Sequence, residues 1–302
     1  MASDWEDTFT RWTKPPSDTE DERCVNAESM IKKAIAANKK LSQMNIEVFA
    51  QGSYANNTNI RLNSDVDICV RNMDTFFPYY PDGMTDSDAG HVDSDYKFPT
   101  FKNDVETALV DYFGRGQVKR GNKAFDIKSN TYRIEADVVP TFEYRRYTGE
   151  KDSYGNYYYH SGTKFFPDNG DAIINWPHQN KSNGIHKNKN TALQFKKVVR
   201  ILKKLNLEMG GDGVVVSKKI PSFLIECLCW NVDNSVYDVT TYTAMVRNSL
   251  SGLYHATNEY ENVKEWGEIN ELKYLFRASQ PWKRGDVNLW TAEAWNYLGF
   301  NE

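Results

Sequence analysis

The 302-residue sequence predicts an α+β fold, with an α/β lobe over residues 1–190 and a mostly helical lobe over residues 191–302. Two patterns lead there. In the first half, short apolar runs such as "IEVFAQGS" and "DVDICV" alternate with polar residues at the period of a strand. In the second half, Phe195, Val198, Val199, Leu202 and Leu205 recur at spacings of three and four, the stripe of an amphipathic helix.

Taken in order, "PPSDTEDERCVNAESMIKKAIAANKKL" predicts a helix from Ser17 to about residue 42, with Ser17 and Glu20 as a capping box. "IEVFAQGS" is a strand entering a turn at Gly52-Ser53, and "DVDICV" is the next strand. Residues 74–101 mix aromatics, prolines and acids without periodicity and read as a loop or lid. A helix near residues 102–114 and two strands follow, the second within "TYRIEADVVPTFEY". Residues 145–190 are polar, rich in Gly and Tyr, and read as irregular; Tyr157, Tyr158 and Tyr159 are expected in a packed loop. Thr191 and Gln194 suggest a second capping box ahead of the amphipathic helix, whose Lys196, Arg200, Lys203 and Lys204 lie opposite its apolar face. "PSFLIECLCWNV" is a second apolar helix, and the remainder reads as helical, with Trp282, Trp290 and Trp295 in its core.

Composition narrows the function classes. A formal net charge of −4 argues against wholesale electrostatic capture of nucleic acid. Mean hydropathy is −0.68. No apolar run approaches the roughly 18 residues of a membrane span, and the acidic start "MASDWEDTFTRW" lacks a secretory signal. Cys24, Cys69, Cys227 and Cys229 have no framework spacing, and Cys227 and Cys229 in "FLIECLCW" read as buried thiols. The five histidines are scattered, which disfavours zinc. A soluble, reduced, cytoplasmic protein is expected.

The chemistry concentrates in "QGSYANNTNIRLNSDVDICV". Asp65 and Asp67 alternate with Val66, Ile68 and Val70, so both carboxylates project from one face while the apolar residues face a core. Like charges held that close repel each other. Asp137 sits in another apolar strand, "IEADVV". Three carboxylates from two strands suit Mg²⁺ or Mn²⁺, which take oxygen ligands and leave room for substrate phosphates. Two such ions would compensate the paired charges, activate an attacking hydroxyl and stabilise a leaving pyrophosphate. The Gly52-Ser53 turn adds backbone amides and a hydroxyl for a phosphate.

Gly-Ser, then Asp-x-Asp, then a distant Asp resembles the motif set of the DNA polymerase β-like nucleotidyltransferases. "SDVDICV", the "INWP…NG…KN…T" stretch from Ile174 to Thr191, "FKKVVRILKKLN" and "KIPSFLIECL" are similar to bacterial CD-NTases. These are relatives of cyclic GMP–AMP synthase and oligoadenylate synthase used in anti-phage signalling. The resemblance covers roughly residues 17 to 230.

It implies a nucleotidyltransferase lobe with a mixed β-sheet, a helical C-terminal lobe, and an active site in the cleft between them. It further implies Asp65, Asp67 and Asp137 as catalytic, metal-binding residues, with Asp137 helping to activate the attacking ribose hydroxyl. Gln51, Gly52 and Ser53 match the triphosphate-gripping turn. Lys203 matches a helix lysine that contacts the triphosphate, with Lys197 and Arg200 as competing registers. Ser222 and Phe223 match a phosphate-contacting serine and a base-stacking aromatic; relatives often carry tyrosine there, so phenylalanine keeps the stacking face and drops a hydroxyl.

The expected reaction is attack of a ribose hydroxyl on the α-phosphate of an NTP, giving a cyclic oligonucleotide second messenger for anti-phage defence. Expected partners are NTP substrates and a regulatory protein from an anti-phage operon, without a membrane or a nucleic-acid activator. The rival enzyme is a synthase of linear oligonucleotides or an adenylyltransferase acting on RNA or a small molecule. The rival from another class is a non-catalytic nucleotide sensor, which would fit better if one of the three aspartates were absent.

Overall fold

The computed structural model describes residues 5–60 and 65–301. In chain order the helices begin with α1 (Trp5–Trp12), α2 (Asp18–Ala37), α3 (Gly52–Ala55), α4 (Asp86–Ala89) and α5 (Phe98–Phe113). Next come α6 (Pro177–Asn190), α7 (Phe195–Gly211) and α8 (Ser222–Asn231). The last are α9 (Tyr242–Asn258), α10 (Tyr260–Val263) and α11 (Arg284–Tyr297). The strands are β1 (Ile46–Gln51), β2 (Val66–Tyr79), β3 (Val118–Arg120), β4 (Phe125–Ile127), β5 (Ala136–Lys151), β6 (Tyr157–Phe165) and β7 (Ile173–Asn175).

Two compact units result, and they do not follow chain order. One comprises Ser17–Tyr54 and Ser64–His178; the other comprises Met1–Pro16, Ala55–Asn63 and Gln179–Glu302. Segments before residue 190 thus join the helical unit, among them α1, whose Phe9 is fully buried in that unit's core.

The first unit is built on a mixed sheet in the order β1-β2-β5-β4-β3, with β6 and β7 continuing from β5. β2 and β5 run parallel; the other pairs are antiparallel. A parallel pair needs a crossover rather than a hairpin, and α5 lies in that crossover. Its Phe98, Phe101, Val105 and Leu109 are buried together with Ile31 and Ile35 of α2, Val66, Ile68 and Val70 of β2, and Val138 and Phe142 of β5. The side chains that alternate with these core residues along β2 and β5, Asp67 and Asp137 among them, occupy the opposite face of the sheet.

Several local expectations need correction. The box at Ser17 is not formed: Ser17 is the N-cap of α2 without a side-chain bond, and α2 stops at Ala37. The Asn38 side chain ends it by accepting from the amides of Lys40 and Leu41, each at 3.0 Å. Residues 74–101 are not one loop. After an irregularity between Asn72 and Phe76, β2 continues beside β5 to Tyr79, and α5 already begins at Phe98. Pro78 is tolerated because β1 pairs with β2 only as far as Asn72, so this stretch is not laddered on both edges.

Residues 145–190 are also ordered: β5 runs on to Lys151, turns at Asp152–Asn156 and returns as β6. Asp152 Oδ1 accepts the amides of Tyr154 and Asn156, and Gly155 takes φ +87°, which glycine adopts without cost. Tyr157, Tyr158 and Tyr159 are consecutive strand residues there, with Tyr158 and Tyr159 exposed rather than packed in a loop.

In the second unit the apolar stripe of α7 is buried as its spacing predicts. Thr191 and Gln194 do not form a box; Thr191 Oγ1 accepts the Phe195 amide at 3.1 Å and donates to Lys187 O at 2.9 Å. Trp290 is fully buried, while Trp282 and Trp295 pack partly buried against the same core. Cys227 and Cys229 are buried free thiols. The basic residues of α7 depart most from expectation: Lys196, Arg200 and Lys203 are only 9, 5 and 3% exposed. No helix among the described residues is long and apolar enough to cross a membrane.

The sheet unit contains a buried cation whose partner sets an acid limit. Lys102 is 2% exposed, and its Nζ donates to Asn122 O at 3.0 Å and Asp168 Oδ1 at 2.8 Å. Hydrogen bonds from Arg120 and then Lys102 hold the Asp168 carboxyl down at about 2. Asp168→Asn removes the carboxylate that accepts from Lys102 and Arg120, at an expected cost of about 1–3 kcal/mol near neutral pH. The depressed carboxyl stabilises the fold fully above its unfolded value near 4 and loses that contribution as pH falls through about 2. Melting curves of wild type and Asp168→Asn should therefore converge between about pH 4 and pH 2; a constant gap would remove Asp168 from this role.

Candidate active site

The sheet unit brings Gln51, Gly52, Ser53, Asp65, Asp67 and Asp137 to one end of the sheet. Asp65 is exposed just before β2, and Asp67 is the second residue of that strand. Asp67 pairs with Gln51 of β1 on one side and with Asp137 of β5 on the other. Asp137 in turn pairs with Asp126 of β4. Directly paired residues share a face, so Gln51, Asp67, Asp137 and Asp126 form a row across four adjacent strands.

The electrostatics are those of carboxylates crowded without compensation. Burial, reinforced by Asp137 and Asp65, pushes Asp67 up to about 6. Burial, then Asp126, Asp65 and Glu135, raises Asp137. Among the described residues, no basic side chain is a cause acting on either carboxyl. Asp126 differs, because Lys119 Nζ stands 3.4 Å from its Oδ2. Sequence reading missed Asp126; the signal was its position between Phe125 and Ile127, both fully buried, which fixes it on the polar face.

Gly52 is required twice over. Its φ of +67° lies in the left-handed region, and a Cβ at this position would come within 2.4 Å of Asp67 Oδ2. The backbone at Gly52 therefore lies directly against the Asp67 carboxylate. Ser53, half-buried, follows it in α3.

All-oxygen donors that repel one another are the chemistry that a hard divalent ion satisfies. Among the described residues, no three His, Cys, Asp or Glu side chains close on a common point as a finished metal ligand set. The donor types and register fit Mg²⁺ or Mn²⁺.

The other expected nucleotide contacts belong to the helical unit. Ser222 is exposed in the first turn of α8. Phe223 is half-buried, packed against the core with its ring 6.3 Å from that of Trp282. Lys197 is half-buried, with Nζ 5.8 Å from the Tyr242 ring centre. Arg200 and Lys203 have protein partners. Arg200 donates from Nε to Thr13 O at 2.7 Å and from Nη1 to Asn57 O at 2.6 Å, and burial lowers it to about 10. Lys203 Nζ donates to Glu226 Oε1 at 2.6 Å and to Thr58 O at 3.0 Å. An open basic face on α7 is thus replaced by buried, paired charges.

Known proteins share this arrangement over the whole chain. Residues 182–299 match the cGAS/DncV-like nucleotidyltransferase C-terminal helical domain, and residues 31–82 match a nucleotidyltransferase domain. The cyclic dipyrimidine nucleotide synthase CdnE of Cecembia lonarensis is 47% identical over 99% of this chain and 100% of its own length. The enzyme of the same description from Legionella pneumophila is 43% identical over 100% of both. Among solved structures, the Rhodothermus marinus CdnE c-UMP-AMP synthase with Apcpp and Upnpp superposes with a TM-score of 0.85 at 28% identity, covering 98% of this chain and 97% of that one. End-to-end identity at this level, with the nucleotidyltransferase sheet and the helical unit both present, establishes that the chain belongs to the cGAS/DncV-like nucleotidyltransferases.

Proposed function

We propose that the chain is a metal-dependent synthase that joins two pyrimidine nucleotides into a cyclic dinucleotide for anti-phage signalling. The general activity, cyclic oligonucleotide synthesis, follows from its relatives. The pyrimidine preference rests on the two relatives described as dipyrimidine synthases, at 47% and 43% identity. The observation that carries the mechanism is the register of Asp67 with Asp137, beside Asp65 and against the Gly52 backbone.

Asp65, Asp67 and Asp137 would hold Mg²⁺ or Mn²⁺, two ions by the chemistry of the reaction. When bound, the ions supply positive charge that activates the attacking hydroxyl and stabilises the leaving pyrophosphate. Asp137 orients the ribose hydroxyl of the acceptor nucleotide. Gly52 and Ser53, with Gln51 beside them, position the triphosphate through backbone amides and the serine hydroxyl. Lys197 and Ser222 are the phosphate contacts assigned to the helical unit, with Phe223 as the base platform. The ribose hydroxyl gives its proton to the Asp137 carboxylate, its oxygen bonds to the α-phosphorus, the bond from that phosphorus to the bridging oxygen breaks, and pyrophosphate leaves. A second round with the roles exchanged closes the ring.

The direct test is product analysis with all four NTPs present, each labelled in turn. A phosphatase-resistant product, formed with one pyrophosphate released per nucleotide, is expected. A phosphatase-sensitive product would identify a linear oligonucleotide synthase, and a purine-only product would overturn the base assignment.

The carboxylate row makes a second prediction that does not depend on turnover. Because Asp67 is raised to about 6, its native form binds more protons than the unfolded chain between about pH 4 and pH 6, so stability falls as pH rises through that window. Without metal, Asp67→Asn should melt higher than wild type at pH 7–8 and lose that advantage below about pH 4. Added Mg²⁺ should raise the wild-type melting temperature but not that of the variant, which should also release no pyrophosphate. A wild-type melting curve indifferent to Mg²⁺ and Mn²⁺ would count against these residues as the metal ligands.

A further inference from the structure

The segment Asn56-Asn57-Thr58-Asn59 is polar yet largely buried, with Asn56, Thr58 and Asn59 at 7, 1 and 5% exposure. It lies between Gly52-Ser53 and Asp65 in the chain. Three of its residues, Asn56, Asn57 and Thr58, bond to side chains on α7 and α8. Lys203 Nζ donates to Thr58 O and to Glu226 Oε1. Asn56 Nδ2 donates to Glu226 Oε2 at 3.3 Å, so both oxygens of that carboxylate are used. Arg200 Nη1 donates to the carbonyl of Asn57, which holds a φ of +53°. The Lys203 and Glu226 side chains are only 2 and 3% exposed.

We propose that Lys203, Glu226 and Asn56 are positioning residues for nucleotidyl transfer, anchoring the segment that links the phosphate-binding turn to Asp65. The inference rests on the function proposed above and assigns Lys203 a different task from direct contact with triphosphate. Two physical arguments support it. First, well-packed apolar residues usually stabilise a fold as well as a buried ion pair; a polar set can additionally hold a backbone carbonyl at one defined point. Second, a chain spans at most about 3.6 Å per residue, and Thr58 is only a few residues from both Ser53 and Asp65. Slack at Thr58 therefore passes back to the turn at Gly52-Ser53. A misplacement of about 1 Å costs up to roughly a hundredfold in rate.

The test compares Lys203→Met, Glu226→Gln and the double variant, in which no unpaired charge is left buried, with Lys203→Arg as the conservative control. Pyrophosphate release gives kcat and KM, melting gives stability, and amide exchange reports on residues 56–60. The expected double variant melts near wild type, exchanges faster at residues 56–60, and loses about tenfold to a hundredfold in kcat with KM little changed. Each single variant loses about as much as the double, because either change breaks the same anchor; Lys203→Arg restores most of the rate. Should the double variant not fold, Asn56→Ala, which removes only the bond to Glu226 Oε2, carries the same comparison.

A raised KM in Lys203→Met with Glu226→Gln silent would overturn the proposal in favour of a direct phosphate contact. Wild-type kcat in a double variant with faster exchange would overturn it as well. If wild-type protein released no pyrophosphate from any NTP, the synthase reading would fail; the exchange comparison would still decide the anchor, and unchanged exchange at residues 56–60 would refute it.

Discussion

The parallel pairing of β2 with β5 sets Asp67 directly beside Asp137, and the local structure of the sheet unit follows from tolerating that contact. Parallel strands require a long crossover, and the crossover supplies α5, which with α2 covers the apolar face of the same two strands. With that face closed, the register cannot slip by one residue without turning Val66, Ile68 and Val70 outward and the aspartate inward. The hydrophobic core thus determines which carboxylates meet. Gly52 completes the constraint, since any side chain there would collide with Asp67.

Two groups of buried and half-buried charges contrast among the described residues. Lys102, Arg200, Lys203 and Glu226 are buried with hydrogen-bonding partners on the protein. Asp67 and Asp137 sit side by side, and among the described residues the charges acting on them are further acids. Leaving like charges uncompensated costs stability, and perturbed carboxylates of this kind gather where chemistry is done. The contrast separates the charges that hold the fold from those proposed here to take a cation and substrate.

Much of this was legible in the sequence. The alternation of Asp67 with Val66, Ile68 and Val70, the Gly-Ser turn, the apolar flanks of Asp137 and the stripe of α7 all produce strong local patterns, and the structure places those elements accordingly, although Asp65, expected on the same strand, lies just ahead of it. What escaped has physical reasons. β6 and α6 carry polar residues and tyrosines where an apolar period would be sought, and β6 is defined by its ladder with β5 rather than by its own composition. The burial of Lys203 and Arg200 was hidden because charged residues on a helix ordinarily mark its wet side. Their partners, Glu226 and the carbonyls of residues 57 and 58, are remote in sequence and invisible to any helical period. Asp126 escaped because its strand, Phe125–Ile127, is only three residues long.

The central claim is that register-matched carboxylates on β2 and β5, together with Asp65, form a divalent-metal centre. Anomalous diffraction from crystals soaked with Mn²⁺ and a non-hydrolysable NTP analogue tests it most directly. The account predicts anomalous peaks at about 2.0–2.3 Å from carboxylate oxygens of Asp67 and its neighbours Asp65 and Asp137. Peaks elsewhere, with those carboxylates unliganded beside a bound nucleotide, would contradict it.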